Sequence, residues 1–241
     1  SPGAGLVGLV HCAGLGVVAP AHAAPEGVFE AVMAVNFYGA VKLTQALYPL
    51  LDEACSDGTI SSRVLFTGNE PPEYPVSGLE GAAAAASGAL AGYAGALRAE
   101  GRLKLKRLEA AVLYPGFVPQ TGYARSCLAL STAAVKGELG AGGAREEADQ
   151  ELMERYFVNK TLPQRRETTP IQFARLVERV LRRGTVIDPA YQVNPPWYST
   201  LYKLLPVSMK EYSSRAENFR ALSSASSRES RTEDSAQRED S

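Results

Sequence analysis

Leu6-Val7-Gly8-Leu9-Val10-His11-Cys12-Ala13-Gly14 is the stretch whose reading decides the fold. It is short and apolar and stops at Ala-Gly, the pattern of a buried strand. Downstream, Val28 to Leu51 carries apolar residues at helical spacing and ends before Asp52. Arg63–Thr67 (R-V-L-F-T) is a second short strand, bounded by Gly68-Asn69 and a loop holding Pro71, Pro72 and Pro75. Glu80 to Glu100 is rich in Ala and Leu, both strong helix formers. Leu108–Tyr114 is a third strand, stopped by Pro115-Gly116. Strand, helix, strand, helix, strand is the order of parallel pairing through crossover helices, so the expected class is α/β with a parallel sheet.

The remainder of the chain is read from its composition. Ala133 to Ala148 is rich in Gly, Ala and Glu and reads as a flexible insertion. Thr169–Arg183 reads as an amphipathic helix, with Pro170 suited to its first turn and Gly184 to its stop. Val186 and Ile187 are expected to form a last short strand. Residues 191–222 form an apolar and aromatic segment after the α/β unit of residues 1–190. The tail at 223–241 is nearly all polar and reads as disordered.

Bulk properties exclude several classes. The 241 residues carry a formal net charge of −1, which gives no electrostatic pull toward nucleic acid. Cys12, Cys55 and Cys127 are too far apart for a zinc site or a disulfide framework, so no metal is expected. No run of 18 apolar residues occurs, which leaves no spanning helix. The chain opens at Ser1 in an apolar segment with no basic n-region, so it reads as lacking a signal peptide and missing its beginning.

Some motifs are decoys. Gly3-Ala4-Gly5-Leu6-Val7-Gly8 matches G-x-G-x-x-G, but a strand-like run follows it where a phosphate loop needs a helix. It reads as a turn into the first strand. Tyr38 with Lys42, and Tyr156 with Lys160, match Y-x-x-x-K and read as surface residues. His22 reads as a solvated loop residue.

The ordered series His11-Cys12-Ala13-Gly14, Asn36, Thr67-Gly68-Asn69 and Tyr114-Pro115-Gly116 resembles the central and C-terminal part of the short-chain dehydrogenase/reductase family over residues 5 to 123. The resemblance implies a Rossmann-type, doubly wound parallel sheet lacking its first βαβ unit, where the family's pyrophosphate loop lies. It puts Asn36 and Asn69 at catalytic positions: the family's helix Asn positions a water in the proton relay, and its strand-end Ser holds the substrate oxygen. His11, Ala13, Gly14, Pro115 and Gly116 fall at cofactor-binding positions, with His11 supporting the sheet beneath the nicotinamide. The departures matter as much. Aligning Ala96–Glu100 with the family's A-L-R-x-E puts the Tyr position at Ala83 and the Lys position at Ser87, and neither side chain replaces that acid–base pair. Asn69 stands where the family has Ser; it can donate a hydrogen bond but is no proton relay.

Within the family, His11–Gly14 and Asn159-Lys160-Thr161-Leu162-Pro163 look like segments of the 3-ketodihydrosphingosine reductases. That branch implies NADP, a lipidic ketone substrate, a homodimer, and a place in the cytoplasm or on the cytosolic face of the endoplasmic reticulum. Residues 193–212 mix Trp197, Tyr198 and Tyr202 with Lys203 and Lys210, which suits contact with a membrane surface. The lost dyad implies an inactive form of the enzyme or a non-catalytic scaffold.

Overall fold

The computed structural model describes residues 5–22, 24–56, 58–69, 79–104, 107–116, 118, 120–135, 168–182, 187–188 and 190–192. The proline loop after Asn69, residues 136–148, Tyr156 with Lys160, the Asn159–Pro163 segment, residues 193–212 and the tail lie outside them.

β1 (Gly8–His11), β2 (Ser62–Thr67), β3 (Leu108–Tyr114) and β4 (Ala190–Gln192) form one sheet in that spatial order, every neighbour pair parallel. Gly8 stands opposite Arg63, Ser62 opposite Leu108, and Val112 opposite Ala190. Because side chains alternate along a strand, β2 and β3 present two distinct faces. Val64, Phe66, Ala110, Val112 and Tyr114 pack under Ala40, Leu51, Leu90, Ala94 and Leu97. These belong to α2 (Ala40–Ala54) and α3 (Gly81–Leu103). Leu65, Ala111 and Leu113 face the other way, onto Val180 and Ile187. Val180 lies on α5 (Pro170–Arg182). Helices on both faces of a parallel sheet make the doubly wound α/β architecture expected above.

The stretch expected as one helix over 28–51 is α1 (Glu26–Met33), a wider π-helical segment (Ala34–Gly39) and α2 in unbroken succession. Its end is tied to the sheet: Leu50 O accepts from Leu6 N at 2.9 Å and Leu51 O from Ser62 Oγ at 2.7 Å. These bonds satisfy carbonyls that a helix end leaves without a partner. A helix that composition did not signal, α4 (Tyr123–Val135), takes up the first residues of the stretch read as an insertion. Ser131 fastens it, accepting from Val18 N at 2.8 Å and donating to Cys127 O at 2.7 Å.

The expected strand at Val186–Ile187 is corrected. Ile187 is buried against the α5 side of the sheet without pairing, and β4 begins at Ala190. Val186 lies outside the described residues.

Candidate functional site

In a parallel α/β sheet, ligands gather beyond the carboxyl ends of the strands. Here those ends bring together Cys12–Gly14 after β1, Gly68-Asn69 after β2 and Pro115-Gly116 after β3. Cys12, Ala13, Gly14 and Gly116 are exposed and Pro115 is half-buried.

His11 lies just beneath this edge. Its Nε2 is 3.0 Å from Thr44 Oγ1, and its ring stacks on Phe66 with centroids 4.9 Å apart. The Thr44 hydroxyl has one hydrogen and spends it on Ala40 O at 2.8 Å, so His11 Nε2 is the donor in their bond. Burial holds the imidazole below its ordinary pKa, in the neutral form. His11 therefore braces β1 against α2 and β2.

Asn36 sits in the π-helical segment, where the widened backbone turns its amide toward the loop after β1. Oδ1 accepts from Leu15 N at 2.7 Å and Nδ2 donates to Leu15 O at 2.8 Å. This two-point clamp fixes the loop next to Gly14, whose missing Cβ would stand 3.8 Å from Asn36 Oδ1.

Asn69 is held from two sides. Its N–H donates to Ser87 Oγ at 3.2 Å, and its Nδ2 donates to Glu80 Oε2 at 3.2 Å. Glu80, Ala83 and Ser87 recur at i, i+3 and i+7, one face of α3 and the residue before it. All three are buried. Ala83 and Ser87 thus point to the β2 end from the side expected for the dyad, but with a methyl group and a hydroxyl engaged by the backbone. Gly68 allows the close approach: a Cβ there would stand 2.5 Å from Tyr114 Cε1 and 2.8 Å from Ser87 Oγ.

No reading of the sequence pointed to Thr168. It is 1% exposed, and its Oγ1 has no hydrogen-bond partner. It faces Gly116, which adopts φ +73° and whose Cβ would stand 3.7 Å from that oxygen. Such a φ favours glycine over any residue with a Cβ. Only the adjoining Thr169-Pro170 helix start gave a signal near Thr168. Tyr123, another phenol near this edge, is pushed up to about 12 by burial, with Cys127 adding to it. That shift runs opposite to what a proton-donating phenol needs. Cys12, Cys55 and Cys127 are free thiols, and the described residues hold no cluster of three metal-ligating side chains.

Residues 4–127 match the family model for short chain dehydrogenases, and the chain belongs to that family. The fold is shared with a short chain dehydrogenase/reductase from Burkholderia phymatum in complex with NAD, at TM-score 0.61 and 16% identity. The alignment covers 83% of this chain and 65% of that one. A putative short chain dehydrogenase from Escherichia coli CFT073, complexed with NADPH, aligns at TM-score 0.53 and 23% identity over 80% of this chain and 65% of that one. The 3-ketoacyl-(acyl-carrier-protein) reductase of Brucella melitensis, complexed with NADH, aligns at TM-score 0.57 and 16% identity over 78% and 66%. This chain therefore spans about two thirds of the length of these neighbours. No curated protein matches the sequence.

Proposed function

We propose that this chain is the substrate-side part of an oxidoreductase that works with a nicotinamide cofactor, NADP by resemblance, on a long-chain ketone such as 3-ketosphinganine. The carrying observation is the carboxyl edge of the sheet, where the Asn36 clamp, the Asn69 amide and the exposed glycines Gly14 and Gly116 converge on one end. The residues suit a nicotinamide there: Gly14 and Gly116 are exposed and present no side chain to an approaching ring. Gly14, Pro115 and Gly116 would hold the ring, which supplies a hydride when bound. Asn69 can donate to a substrate oxygen with its second Nδ2 hydrogen, while Asn36 keeps the β1 loop in place.

The same edge supports a second reading, that of a non-catalytic family member serving as a scaffold or subunit. Ala83 and Ser87 are 2% and 3% exposed, and the Ser87 hydroxyl is engaged by Asn69 N–H. No acid–base pair occupies the face of α3 that presents those positions. In this reading the cofactor site persists and turnover is lost.

Incubating the full chain with NADPH and 3-ketosphinganine separates the two. The expected result is no turnover above background, since losing general acid–base assistance costs about 10²- to 10⁴-fold. Turnover that disappears in Tyr38→Phe or Tyr156→Phe would place the relay on those phenols and overturn the inactive form. Contact of residues 193–212 with the cytosolic face of the endoplasmic reticulum belongs to the same proposal. Among the described residues no helix is long and apolar enough to cross a membrane. Flotation with anionic vesicles, with and without residues 193–241, tests surface contact; a full chain that stays unbound excludes it.

A further inference from the structure

We propose that Glu80 is a positioning residue for Asn69: it turns the Asn69 carbonyl oxygen outward, so that the site selects a ketone with a hydrogen-bond donor, a hydroxyl or an amine, on the neighbouring carbon. The inference rests on the oxidoreductase reading above and gives its substrate-side contact a direction.

A side-chain amide carries an acceptor oxygen and a donor nitrogen side by side, and a half-turn exchanges them. Its neighbours decide which way it faces. Asn69 Nδ2 lies 3.2 Å from Glu80 Oε2. A carboxylate only accepts, so the nitrogen faces it, and the reverse orientation would set two oxygens against each other. The backbone is held as well, since Asn69 N donates to Ser87 Oγ at 3.2 Å. Anchored at both points, Asn69 keeps one Nδ2 hydrogen and its Oδ1 uncommitted among the described residues. Asn69 is half-buried, and Oδ1 is not one of the side-chain oxygens sealed from solvent without a partner, so a ligand can reach it.

The placement of Glu80 works against stability, which marks it as more than packing. Its residue is 7% exposed, and a buried carboxylate is unfavourable unless it is bonded. Leu79, just before it, adopts φ +67°, a conformation that bulky side chains rarely take and that gathers at functional sites. The Leu79 carbonyl is pinned there by Ala19 N at 2.8 Å. Backbone strain and a buried carboxylate thus meet at one place, and the carboxylate holds Asn69.

An amide fixed in this way offers a substrate two points: Nδ2–H to the ketone oxygen, and Oδ1 to a donor on the next carbon. Asn grips the adjacent acceptor and donor of adenine in the same two-point manner. A serine hydroxyl at position 69 would present one atom in place of two.

The test uses the full chain with NADPH and two probes, hexyl methyl ketone and hexyl hydroxymethyl ketone. Affinities are read by calorimetric titration in the parent, Glu80→Gln and Glu80→Ala. The parent is expected to bind the hydroxy ketone about 5- to 10-fold more tightly, the worth of one added hydrogen bond. Glutamine donates as well as accepts, so in Glu80→Gln the Asn69 amide is free to turn over. The preference should then vanish while affinity for the plain ketone stays near the parent's. Glu80→Ala removes the carboxylate without burying a new amide, and gives the same reading if Glu80→Gln does not fold. A Glu80 that only supports the fold would lower both affinities together, so a preference retained in both variants overturns the positioning role. A parent that binds the two ketones equally overturns the outward Oδ1. A parent that binds neither ketone overturns the oxidoreductase reading, and this inference with it.

Discussion

His11 shows how one residue's surroundings set its chemistry. Imidazole is the side chain most ready to exchange protons near neutral pH. Here it is buried, stacked on Phe66 and committed to Thr44, with its pKa lowered from 6.5. Since the unfolded chain holds the proton more tightly, His11 contributes stability that is fully present above about pH 6.5. That contribution is lost as pH falls toward the lower folded value. Urea denaturation at pH 7.5 and pH 5 should show the parent losing more stability on acidification than His11→Phe does. Equal losses would place the acid sensitivity elsewhere. Gly68 makes the same point by sterics. A Cβ there meets Tyr114, Ser87 and Val112 at 2.5, 2.8 and 2.9 Å, and two of these belong to a packed strand. Gly68→Ala should cost about 1–3 kcal/mol, the usual range for overpacking, measured by chemical denaturation. A neutral substitution would mean that β2 and β3 part easily here.

At the scale of elements, the α1–π–α2 succession is built around Asn36. A π-helical turn widens the backbone and is costly unless something uses it. Here the freed space admits the two bonds from Asn36 to Leu15, at 2.7 and 2.8 Å. Asn36→Ala should remove both and destabilise by about 2 kcal/mol. Amide hydrogen exchange should show lost protection at Leu15 ahead of the β2 and β3 core. Retained protection would refute the clamp. At the start of α5, Thr169 Oγ1 accepts from Gln172 N at 3.2 Å and Gln172 Oε1 from Thr169 N at 2.8 Å. This capping pair gives an independent check: Thr169→Ala should cost about 1 kcal/mol, while Thr168→Val should not.

At the scale of the molecule, one helix face is uncovered among the described residues. On α3, Gly88, Gly92 and Gly95 recur at i, i+4 and i+7 with nothing near the place of a Cβ. Tyr38 of the π-helical segment and Leu43 and Leu50 of α2 are exposed as well. Small residues permit close helix–helix contact, and by family resemblance we propose that this face of α3 pairs in a homodimer. Sedimentation should find a dimer, and Gly92→Leu should weaken it without lowering monomer stability. A monomeric parent chain would refute this pairing.

How much of this was legible in the sequence follows from the range of the interactions involved. The apolar runs 6–12, 63–67 and 108–114, the Ala-rich helix and the glycine punctuation determined a parallel α/β sheet. Each is a local pattern whose period and stop signals act within a few residues. The blank at Ala83 and Ser87 was equally local, since it is a matter of which residue stands on one helix face. Only the tertiary structure decided that β4 starts at Ala190, because a short edge strand is selected by the ladder that β3 offers it. It alone showed the anchoring of Asn69 on Glu80 and Ser87, and the unspent hydroxyl of Thr168 behind Gly116. Gly116 and Thr168 are about fifty residues apart. A contact over that separation leaves no periodic trace in composition and exists only once β3 and the start of α5 are packed together.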